Sequence, residues 1–306
     1  MDDTMKYRTL GKTGLNVSVV GVGTWQFGGE WGIDYTQEEV GSILRRAKEL
    51  GINLIDTAEC YGPDHLSESL IGGYLKEDRR EDWILATKFG HLFTRNFARD
   101  NRCSAEDVIK QLDESLQALK TDYVDIYQFH SLGNEWFDND ELWTALDKQV
   151  EAGKIRHLGI SIGSNADIYQ TSKASDVRAG VIQVVYNRLD RTPEEKVLPS
   201  CQEQNLGVLA RVPLASGFLS GKYDASTTFP DNDHRSLEGR FPQERREKLL
   251  REVEEIRRSE VPPGVPMAEW ALAWCLKHPA VTSVIPGCKN PAQVESNARA
   301  ADLLEA

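Results

Sequence analysis

The chain of 306 residues alternates between short apolar runs and longer amphipathic segments, and this alternation restricts its fold more than any other feature. The short runs have the length and composition of buried strands, and segments with helical periodicity separate them. The predicted strands are Val17–Gly23, Asn53–Asp56, Trp83–Thr87, Val124–Phe129, His157–Ser161, Val181–Val185, Gly207–Ala210 and Ser283–Ile285. Repeated strand–helix units favour a parallel sheet, because the connection between parallel strands needs a crossover helix.

Polar residues at regular offsets predict where the helices begin. In each case a Ser or Thr precedes an acidic residue by three positions, which is the pattern of a capping box. The predicted starts are Thr36-x-x-Glu39, Ser104-x-x-Asp107 and Ser164-x-x-Asp167. A fourth helix is predicted over residues 140–151, and Gly51 and Gly153 follow the first and fourth helices as stop signals.

Eight strands with intervening helices favour an α/β fold of the (β/α)8 TIM-barrel type. The doubly wound sheet is the main alternative, but its G-x-G-x-x-G fingerprint fails, because Gln26 stands three residues after Gly23. Residues Tyr7–Leu10 and Val17–Val19 predict an N-terminal β-hairpin whose apolar side chains plug the bottom of the barrel. Residues 222–242 are rich in Asp, Ser, Thr, Pro and Gly and predict a long loop before the last βα unit.

Composition excludes several classes of function. The formal net charge of -12 disfavours a nucleic-acid partner, because an acidic surface repels phosphate backbones. No apolar run approaches the roughly 18 residues of a membrane span, and the polar N-terminus is unlike a signal peptide. The five cysteines have no C-x-x-C spacing and the histidines are scattered, so we expect neither disulfides nor a metal. We therefore expect one domain over residues 1–306 in the cytoplasm, and the oligomeric state stays open.

Polar side chains stand at the ends of three consecutive predicted strands. Asp56 ends the second strand, Lys88 and His130 follow the next two, and Tyr61 lies in the loop after Asp56. Each has a structural alternative when taken singly, such as an N-cap for Asp56 or simple packing for Tyr61. Barrel enzymes place their chemistry at the carboxyl ends of the strands, so the joint placement favours a catalytic site.

These residue types suit the reduction of a carbonyl group. A tyrosine hydroxyl has a pKa of about 10, and we expect the Lys88 ammonium to lower the pKa of Tyr61 so that it becomes an efficient proton donor. Asp56 would hold Lys88 in place, and His130 would donate a hydrogen bond to the substrate carbonyl. Hydride would then reach the carbonyl carbon while Tyr61 protonates the oxygen.

Ordered motifs along nearly the whole chain resemble those of the aldo-keto reductases. The matching segments are Gly51–Gly62, Ser67–Gly72, Ala86–Lys88, Asp122–His130, Gly153–Ser161, Gln183–Asn187, Pro213–Gly217 and Ile285–Gly287. The resemblance implies a (β/α)8 barrel that binds NADPH without a Rossmann motif. It also places the catalytic tetrad of that family on Asp56, Tyr61, Lys88 and His130.

The same resemblance implies the cofactor contacts. At the nicotinamide end they are Gly23, Thr24, Trp25, Asp56, Ser161, Gln183 and Arg211. In the loop around the pyrophosphate they are Pro213, Leu214, Ser216, Gly217, Leu219, Gly221 and Lys222. At the adenosine phosphate they are Gly287, Lys289, Gln293 and Asn297.

Local chemistry supports the adenosine-phosphate end, where Asn290 can cap a helix whose free N–H groups attract an anion beside Lys289. Two positions depart from the family pattern. Ile162 follows Ser161 where an asparagine is frequent, and Arg211 stands where many members have a tyrosine. Arg211 either contacts the cofactor or forms a structural ion pair.

Aromatic residues just beyond the strand ends predict a substrate pocket suited to apolar or aromatic carbonyls. The substrate candidates are Trp25, Trp31, Tyr61, Phe89 and His130, with Phe27, Phe93 and Trp136 as further aromatic neighbours. Three functions remain open: a carbonyl reductase, an NADPH-binding regulatory subunit similar to potassium-channel β-subunits, and an unrelated barrel hydrolase that binds a phosphorylated substrate near Lys289.

Overall fold

The computed structural model describes residues 5–304, and its strands form one large parallel sheet and two small hairpins. The strands are β1 Tyr7–Thr9, β2 Asn16–Ser18, β3 Val22–Gly23, β4 Leu54–Asp56, β5 Ile84–Phe89, β6 His91–Arg95, β7 Ala98–Asn101, β8 Val124–His130, β9 Ile155–Ser161, β10 Ala179–Val185, β11 Gly207–Arg211 and β12 Ser283–Val284. The helices are α1 Gln37–Glu49, α2 Leu66–Leu75, α3 Ala105–Leu119, α4 Asn134–Phe137, α5 Asp140–Glu151, α6 Tyr169–Ser172, α7 Val197–Glu203, α8 Gln243–Ser259, α9 Met267–Leu276 and α10 Pro291–Ala298. The prediction about a signal sequence depends partly on residues 1–4, which lie outside this range.

The parallel sheet closes on itself. Its order is β3-β4-β5-β8-β9-β10-β11-β12, and parallel bridges join Val20 to Val284 and Gly23 to Gly287 across the two ends. The contact is close, because a Cβ on Gly23 would lie 2.5 Å from the Ile285 carbonyl oxygen. The (β/α)8 barrel is confirmed, and the doubly wound alternative is wrong because such a sheet keeps two open edges.

The first predicted strand is wrong in one respect, because the segment from Val17 to Gly23 divides between two sheets. Asn16–Ser18 pairs antiparallel with β1, whereas Val22–Gly23 pairs with β4 inside the barrel. A single run of apolar residues cannot reveal this division, since both pieces are buried and the chain changes sheet between them.

The predicted helix signals operate at most positions. Both the Thr36 and the Ser104 capping boxes form, and α5 covers the residues predicted for it. Ser164 accepts a hydrogen bond from the backbone N–H of Asp167 at 3.1 Å, but no long helix follows, and α6 begins only at Tyr169. The side chain of Asp167 accepts from the N–H of Tyr169, so two successive capped turns replace the expected helix start.

The N-terminal hairpin of β1 and β2 fills the floor of the barrel, as predicted. Its residues Leu10 and Val17 are fully buried and pack against the inward-facing side chains of the strands, namely Leu54, Ala86, Ile126, Val181, Leu209 and Ile285. Gly207 permits this contact, because a Cβ there would lie 2.4 Å from Cγ of Leu10. Closing the floor leaves the opposite rim, at the carboxyl ends of the strands, as the open end of the barrel.

The predicted long loop over residues 222–242 is present between β11 and α8. It folds back toward the first strand end, where Asp233 bridges to Trp31 and the N–H of His234 donates to the Glu30 carbonyl at 2.8 Å. This loop therefore contributes to the rim that carries the predicted chemistry. Within residues 5–304 no helix combines the length and the apolar character that crossing a bilayer requires.

We expect Leu10→Ala to lower the free energy of unfolding by about 2–5 kcal/mol, because it leaves a cavity under the barrel floor. Urea denaturation followed by tryptophan fluorescence measures the change. Leu237→Ala is the matched control, since Leu237 is 39% exposed and its truncation should change stability by less than about 0.5 kcal/mol. Equal losses in the two variants would contradict the role of Leu10 as a plug.

Candidate active site

The four predicted catalytic residues meet at the open rim of the barrel. The Nζ of Lys88 lies 2.7 Å from Oδ2 of Asp56 and 3.0 Å from the hydroxyl of Tyr61. The rings of Tyr61 and His130 are edge to face, with centroids 6.0 Å apart. Asp56 and His130 end their strands and Lys88 is the penultimate residue of its strand, so all three side chains lie at the carboxyl ends of neighbouring parallel strands.

Asp56 is the centre of a buried hydrogen-bond network. Its Oδ2 accepts from Lys88, and its Oδ1 accepts from Nε2 of Gln183 at 2.7 Å and Nε2 of Gln128 at 3.1 Å. The amide NH2 group of Gln183 therefore donates to this network, and its carbonyl oxygen takes no part in it. Gln128 was missed by the sequence reasoning, although it precedes His130 by two residues and so shares its face of β8.

Lys88 is a fully buried ammonium. Burial alone would lower the pKa of Lys88, but the neighbouring Asp56 carboxylate and the Tyr61 phenol raise it above its usual value. The ammonium also donates to the Thr57 carbonyl at 2.7 Å, so its three N–H bonds all have acceptors. Lys88 is therefore a permanent positive charge beside Tyr61.

The expectation that Tyr61 has a lowered pKa is wrong for the protein alone. Burial raises the pKa of Tyr61, and the Asp56 carboxylate raises it further. The positive charge of Lys88 lowers the pKa of Tyr61, as expected. Burial and the Asp56 carboxylate together outweigh it, so the net shift of the pKa is upward. Tyr61 is accordingly a protonated phenol at neutral pH, which is the state that a proton donor requires.

His130 is a neutral imidazole at physiological pH. Burial holds the pKa of His130 well below its usual value, and the positive charges of Lys88 and Arg211 add to this effect. The Nδ1 atom of the His130 ring lies 3.8 Å from Sγ of Cys60 and 3.7 Å from Oε2 of Glu59. A neutral imidazole can donate from one nitrogen only, so its hydrogen-bond partners decide which nitrogen carries the proton.

Glu59, Cys60 and His130 offer three potential metal ligands within 4.8 Å of one another. The spacing of cysteines and histidines along the sequence predicts no metal site. That spacing is uninformative here, because the barrel brings together residues 70 positions apart. Glu59 stands inside the matched D-T-A-E-C-Y-G motif, so the motif itself is the signal that could have identified it.

An aromatic cluster borders the tetrad on the side of the first strand. Trp25 stacks on Tyr61 with centroids 6.1 Å apart, and Trp31 and His234 both lie against Trp25. His234 comes from the long loop and was missed, because no local pattern marks it. Burial and the charge of Arg240 lower the pKa of His234 to about 4, so it is neutral.

Glu30 ties three rim segments together. Its buried carboxylate accepts from Trp25 Nε1 at 2.8 Å, from the Phe97 backbone N–H at 2.6 Å and from the Arg99 guanidinium at 2.5 and 2.9 Å. Its backbone carbonyl accepts from His234. Glu30 therefore links the first strand end, the β6–β7 hairpin and the long loop to one another beside Trp25.

The assignment of Phe89 to the substrate pocket is wrong. Phe89 follows Lys88 on β5, and successive side chains of a strand point to opposite faces, so Phe89 points into the layer between sheet and helices. It is fully buried there against Tyr127 and Phe129. Phe27 is likewise buried, whereas Trp25 and Trp31 remain partly exposed at the rim.

Two of the residues predicted to contact the nicotinamide carry buried polar atoms without a hydrogen-bond partner among residues 5–304. They are the Ser161 hydroxyl and the Nε of Arg211. Within that same range Arg211 forms no ion pair, and its NH2 group donates to the Ile162 carbonyl at 3.2 Å. The ion-pair alternative for Arg211 thus lacks support. The Thr24 hydroxyl, in contrast, donates a hydrogen bond to the backbone carbonyl of Asp56 at 2.9 Å.

The loop after β11 has an unusual backbone. Val212, Ala215 and Ser216 have positive φ values of 53°, 48° and 58°, and a turn through Gly217 follows. One prediction here is wrong, because Leu219 is fully buried in a cluster with Val253, Met267 and Trp270, and its N–H donates to Leu214. The side chain of Leu219 therefore packs beneath the loop, and its N–H is already paired within the loop. The other predicted residues of the loop are Pro213, Ser216, Gly221 and Lys222, of which Lys222 is exposed.

The residues predicted for the adenosine phosphate lie around the start of α10. Asn290 caps the helix, with its side chain accepting from the N–H of Gln293 at 3.0 Å. Lys289 is half-buried, and its Nζ is 3.4 Å from the Trp31 carbonyl. Asn297 is buried one turn beyond Gln293 and near Gly287. A cation and a helix N-terminus thus lie together at the rim.

A closed parallel barrel that carries a buried Asp–Lys pair, a tyrosine and a neutral histidine at its carboxyl rim defines a class of barrel oxidoreductases. The Aldo/keto reductase family pattern matches residues 19–305. The chain is 32% identical over 302 residues to aldo-keto reductase YhdN of Bacillus subtilis, covering 95% of this chain and 87% of that protein.

Two further comparisons agree. The NADP(+) aldo-keto reductase yakc of Schizosaccharomyces pombe is 32% identical, covering 86% of this chain and 77% of that protein. The structure of glycerol dehydrogenase AKR11B4 from Gluconobacter oxydans superposes with a TM-score of 0.81 at 29% identity, covering 98% of this chain and 90% of that one. The chain belongs to the aldo-keto reductase family of NADP(H)-dependent oxidoreductases. The alternative of an unrelated barrel hydrolase is wrong.

We expect Lys88→Met to lower the free energy of unfolding by about 3–5 kcal/mol, because it leaves the buried Asp56 carboxylate without its cation. Combining it with Asp56→Asn should recover a large part of that loss, since both charges are then absent. Urea denaturation of the two single variants and the double variant, without ligand, measures the coupling. A double variant whose loss equals the sum of the single losses would contradict a buried, mutually dependent pair.

Proposed function

We propose that the protein reduces aldehydes or ketones to alcohols with NADPH, and that Tyr61 is the general acid. The observation that supports this most directly is the position of the Tyr61 hydroxyl, 3.0 Å from the Lys88 ammonium, which is itself held 2.7 Å from Asp56. A protonated phenol next to a permanent cation can give up its proton to an oxygen that gains negative charge, because the cation stabilises the phenolate left behind.

Each residue of the tetrad then has a distinct task. His130 donates a hydrogen bond to the carbonyl oxygen and orients it toward Tyr61, whose ring is adjacent. Lys88 stabilises the phenolate, and Asp56 with Gln128 keeps Lys88 in place. When bound, NADPH supplies the hydride that adds to the carbonyl carbon. Fixed dipoles and charges in a buried site make these contributions without prior reorganisation.

The residues present suit a nicotinamide cofactor. The unpartnered Ser161 hydroxyl and the free carbonyl of Gln183 could hold the carboxamide, with Gly23 and Trp25 alongside. The buried guanidinium of Arg211 has an unused Nε–H that suits the cofactor. We assign the pyrophosphate to the turn that Leu214, Ser216 and Gly217 form, and the adenosine 2′-phosphate to the region of Gly287, Lys289, Gln293 and Asn297. The cation Lys289 beside the α10 N-terminus favours NADPH over NADH.

The aromatic wall shapes the substrate side. Trp25, Trp31 and His234 close one flank of Tyr61, and their connection through Glu30 holds that flank in place. A confined aromatic wall favours small carbonyl compounds that fit between Trp25 and His130. A panel of short aliphatic, hydroxylated and aromatic aldehydes and ketones, assayed with NADPH, ranks the substrates.

We expect Tyr61→Phe to lower kcat/KM for a generic aldehyde such as 4-nitrobenzaldehyde by at least about 100-fold, because the proton donor is lost. NADPH binding, followed by quenching of tryptophan fluorescence, should persist. The matched control is Tyr127→Phe, which removes the hydroxyl of another fully buried tyrosine outside the barrel interior and should retain turnover. Unchanged turnover in Tyr61→Phe would remove Tyr61 from this role.

The regulatory alternative makes a different prediction for the same experiment. A cofactor-binding subunit would bind NADPH tightly, turn over slowly with every member of the substrate panel, and depend little on Tyr61. Absence of any saturable NADPH binding would contradict both functions at once.

We expect Lys289→Ala to weaken NADPH binding at least about tenfold and to leave NADH binding nearly unchanged, because only NADPH carries the 2′-phosphate. Parallel fluorescence titrations with the two cofactors measure the ratio. Lys110→Ala removes a lysine whose side chain is 76% exposed on α3 and controls for net charge. Equal weakening of both cofactors by Lys289→Ala would contradict a 2′-phosphate contact.

A further inference from the structure

The carboxyl group of Glu59 lies buried at the Nδ1 edge of the His130 ring. Its Oε1 is anchored, because it accepts from the backbone N–H of His91 at 2.9 Å. Its Oε2 has no hydrogen-bond partner within residues 5–304 and lies 3.7 Å from Nδ1 of His130. Leaving such an oxygen unpaired is costly, so a buried carboxyl in this position calls for a specific reason.

The surroundings of Glu59 favour its neutral form. Burial raises the pKa of Glu59, and the interactions of its carboxyl group with His91 and Lys88 oppose this only in part. The titratable and charged groups that face it from the packed elements are Cys60, His65, Lys88, His91, Cys103, Tyr127 and His130. A neutral carboxylic acid has one O–H, and the unpaired Oε2 is the oxygen that can carry it.

The protonation of Glu59 has a consequence for His130. A carboxylic acid donates its O–H to Nδ1, which leaves the proton of the neutral imidazole on Nε2, where it can bind a carbonyl oxygen. An ionised carboxylate would instead attract an N–H at Nδ1 and leave Nε2 as a bare acceptor, which repels a carbonyl oxygen. Active-site hydrogen bonds are often long in ligand-free structures, and a shift of about 0.5 Å closes this one to hydrogen-bonding range.

We propose that Glu59 is a positioning residue that acts as a protonated acid and holds His130 in the tautomer with its proton on Nε2. The inference rests on the proposed function, in which His130 donates to the substrate carbonyl. The thiol of Cys60, 3.8 Å from the same Nδ1, is the competing donor. A thiol is a weaker donor than a carboxylic acid, so we assign the role to Glu59.

The tautomer can be observed without catalysis. In protein labelled with 15N-histidine, the ring nitrogen shifts of His130, assigned by comparison with His130→Ala, distinguish a proton on Nε2 from one on Nδ1. We expect the Nε2–H form at pH 7 in the wild type and in Glu59→Gln, whose amide can also donate to Nδ1. Glu59→Leu should lose this preference, and Cys60→Ala should keep it.

Kinetics provide a second readout. Because the protonated form of Glu59 is the active one, kcat/KM should fall as the pH rises through the raised pKa of this carboxyl. Glu59→Gln should retain most of the turnover and lose this limb of the pH profile, since an amide does not ionise. Glu59→Leu should lower kcat/KM at least tenfold. Glu269→Gln, which alters a buried carboxyl on α9, is the matched control and should leave the profile unchanged.

The outcomes separate the inference from the proposed function. An unchanged tautomer in Glu59→Leu, or a loss that appears in Cys60→Ala instead, overturns the role of Glu59 whatever the activity. If the wild type shows no NADPH-dependent turnover, the proposed function fails, while the NMR measurement still tests the tautomer. A loss of folding in Glu59→Leu would be seen by circular dichroism, and Glu59→Gln with its pH profile then decides the question.

Discussion

The buried contact between Lys88 and Asp56 is the interaction on which the rest of the site depends. Removing an ammonium from water is costly, and the cost is recovered only because a carboxylate, a backbone carbonyl and a phenol surround it. Lys88 belongs to β5, the carboxylate to β4, and the carbonyl and the phenol to the loop after β4, so their distances follow from the pairing of these two strands. Closing the barrel therefore creates the charged centre, and the hairpin with Leu10 at the floor stabilises that closure.

Burial around this pair sets every protonation state that the chemistry uses. The same loss of water raises the pKa of Tyr61 and of Glu59 and lowers that of His130, so the phenol and the imidazole are neutral beside one cation. A neutral phenol and a neutral imidazole are both donors toward a substrate oxygen. Burial thus leaves two separate neutral hydrogen-bond donors at the rim, and in the proposed reaction Lys88 supplies the charge that stabilises the Tyr61 phenolate.

Much of this could be predicted from the sequence because it depends on local pattern. Strand ends, capping boxes and the motif around Asp56 each depend on a few neighbouring residues in the sequence. The predicted barrel and the predicted family are both confirmed. The wrong assignments concern facing and packing. Phe89 was assigned to the pocket although strand alternation places it opposite Lys88, and Leu219 was assigned to the cofactor although it packs beneath its loop. Both errors assume that a residue close in sequence to a site residue also has its side chain in the site.

The sequence by itself determined the class of fold, the family, the three polar residues near the strand ends and Tyr61 in the loop after Asp56, because each is encoded in periodicity or in a contiguous motif. Only the tertiary structure decided that Glu59 lies behind His130, that Gln128 supports Asp56 and that His234 lies on Trp25. It also decided the sign of the Tyr61 pKa shift. These are contacts and burial effects between groups far apart in the chain, and they exist only once the barrel has closed and excluded water.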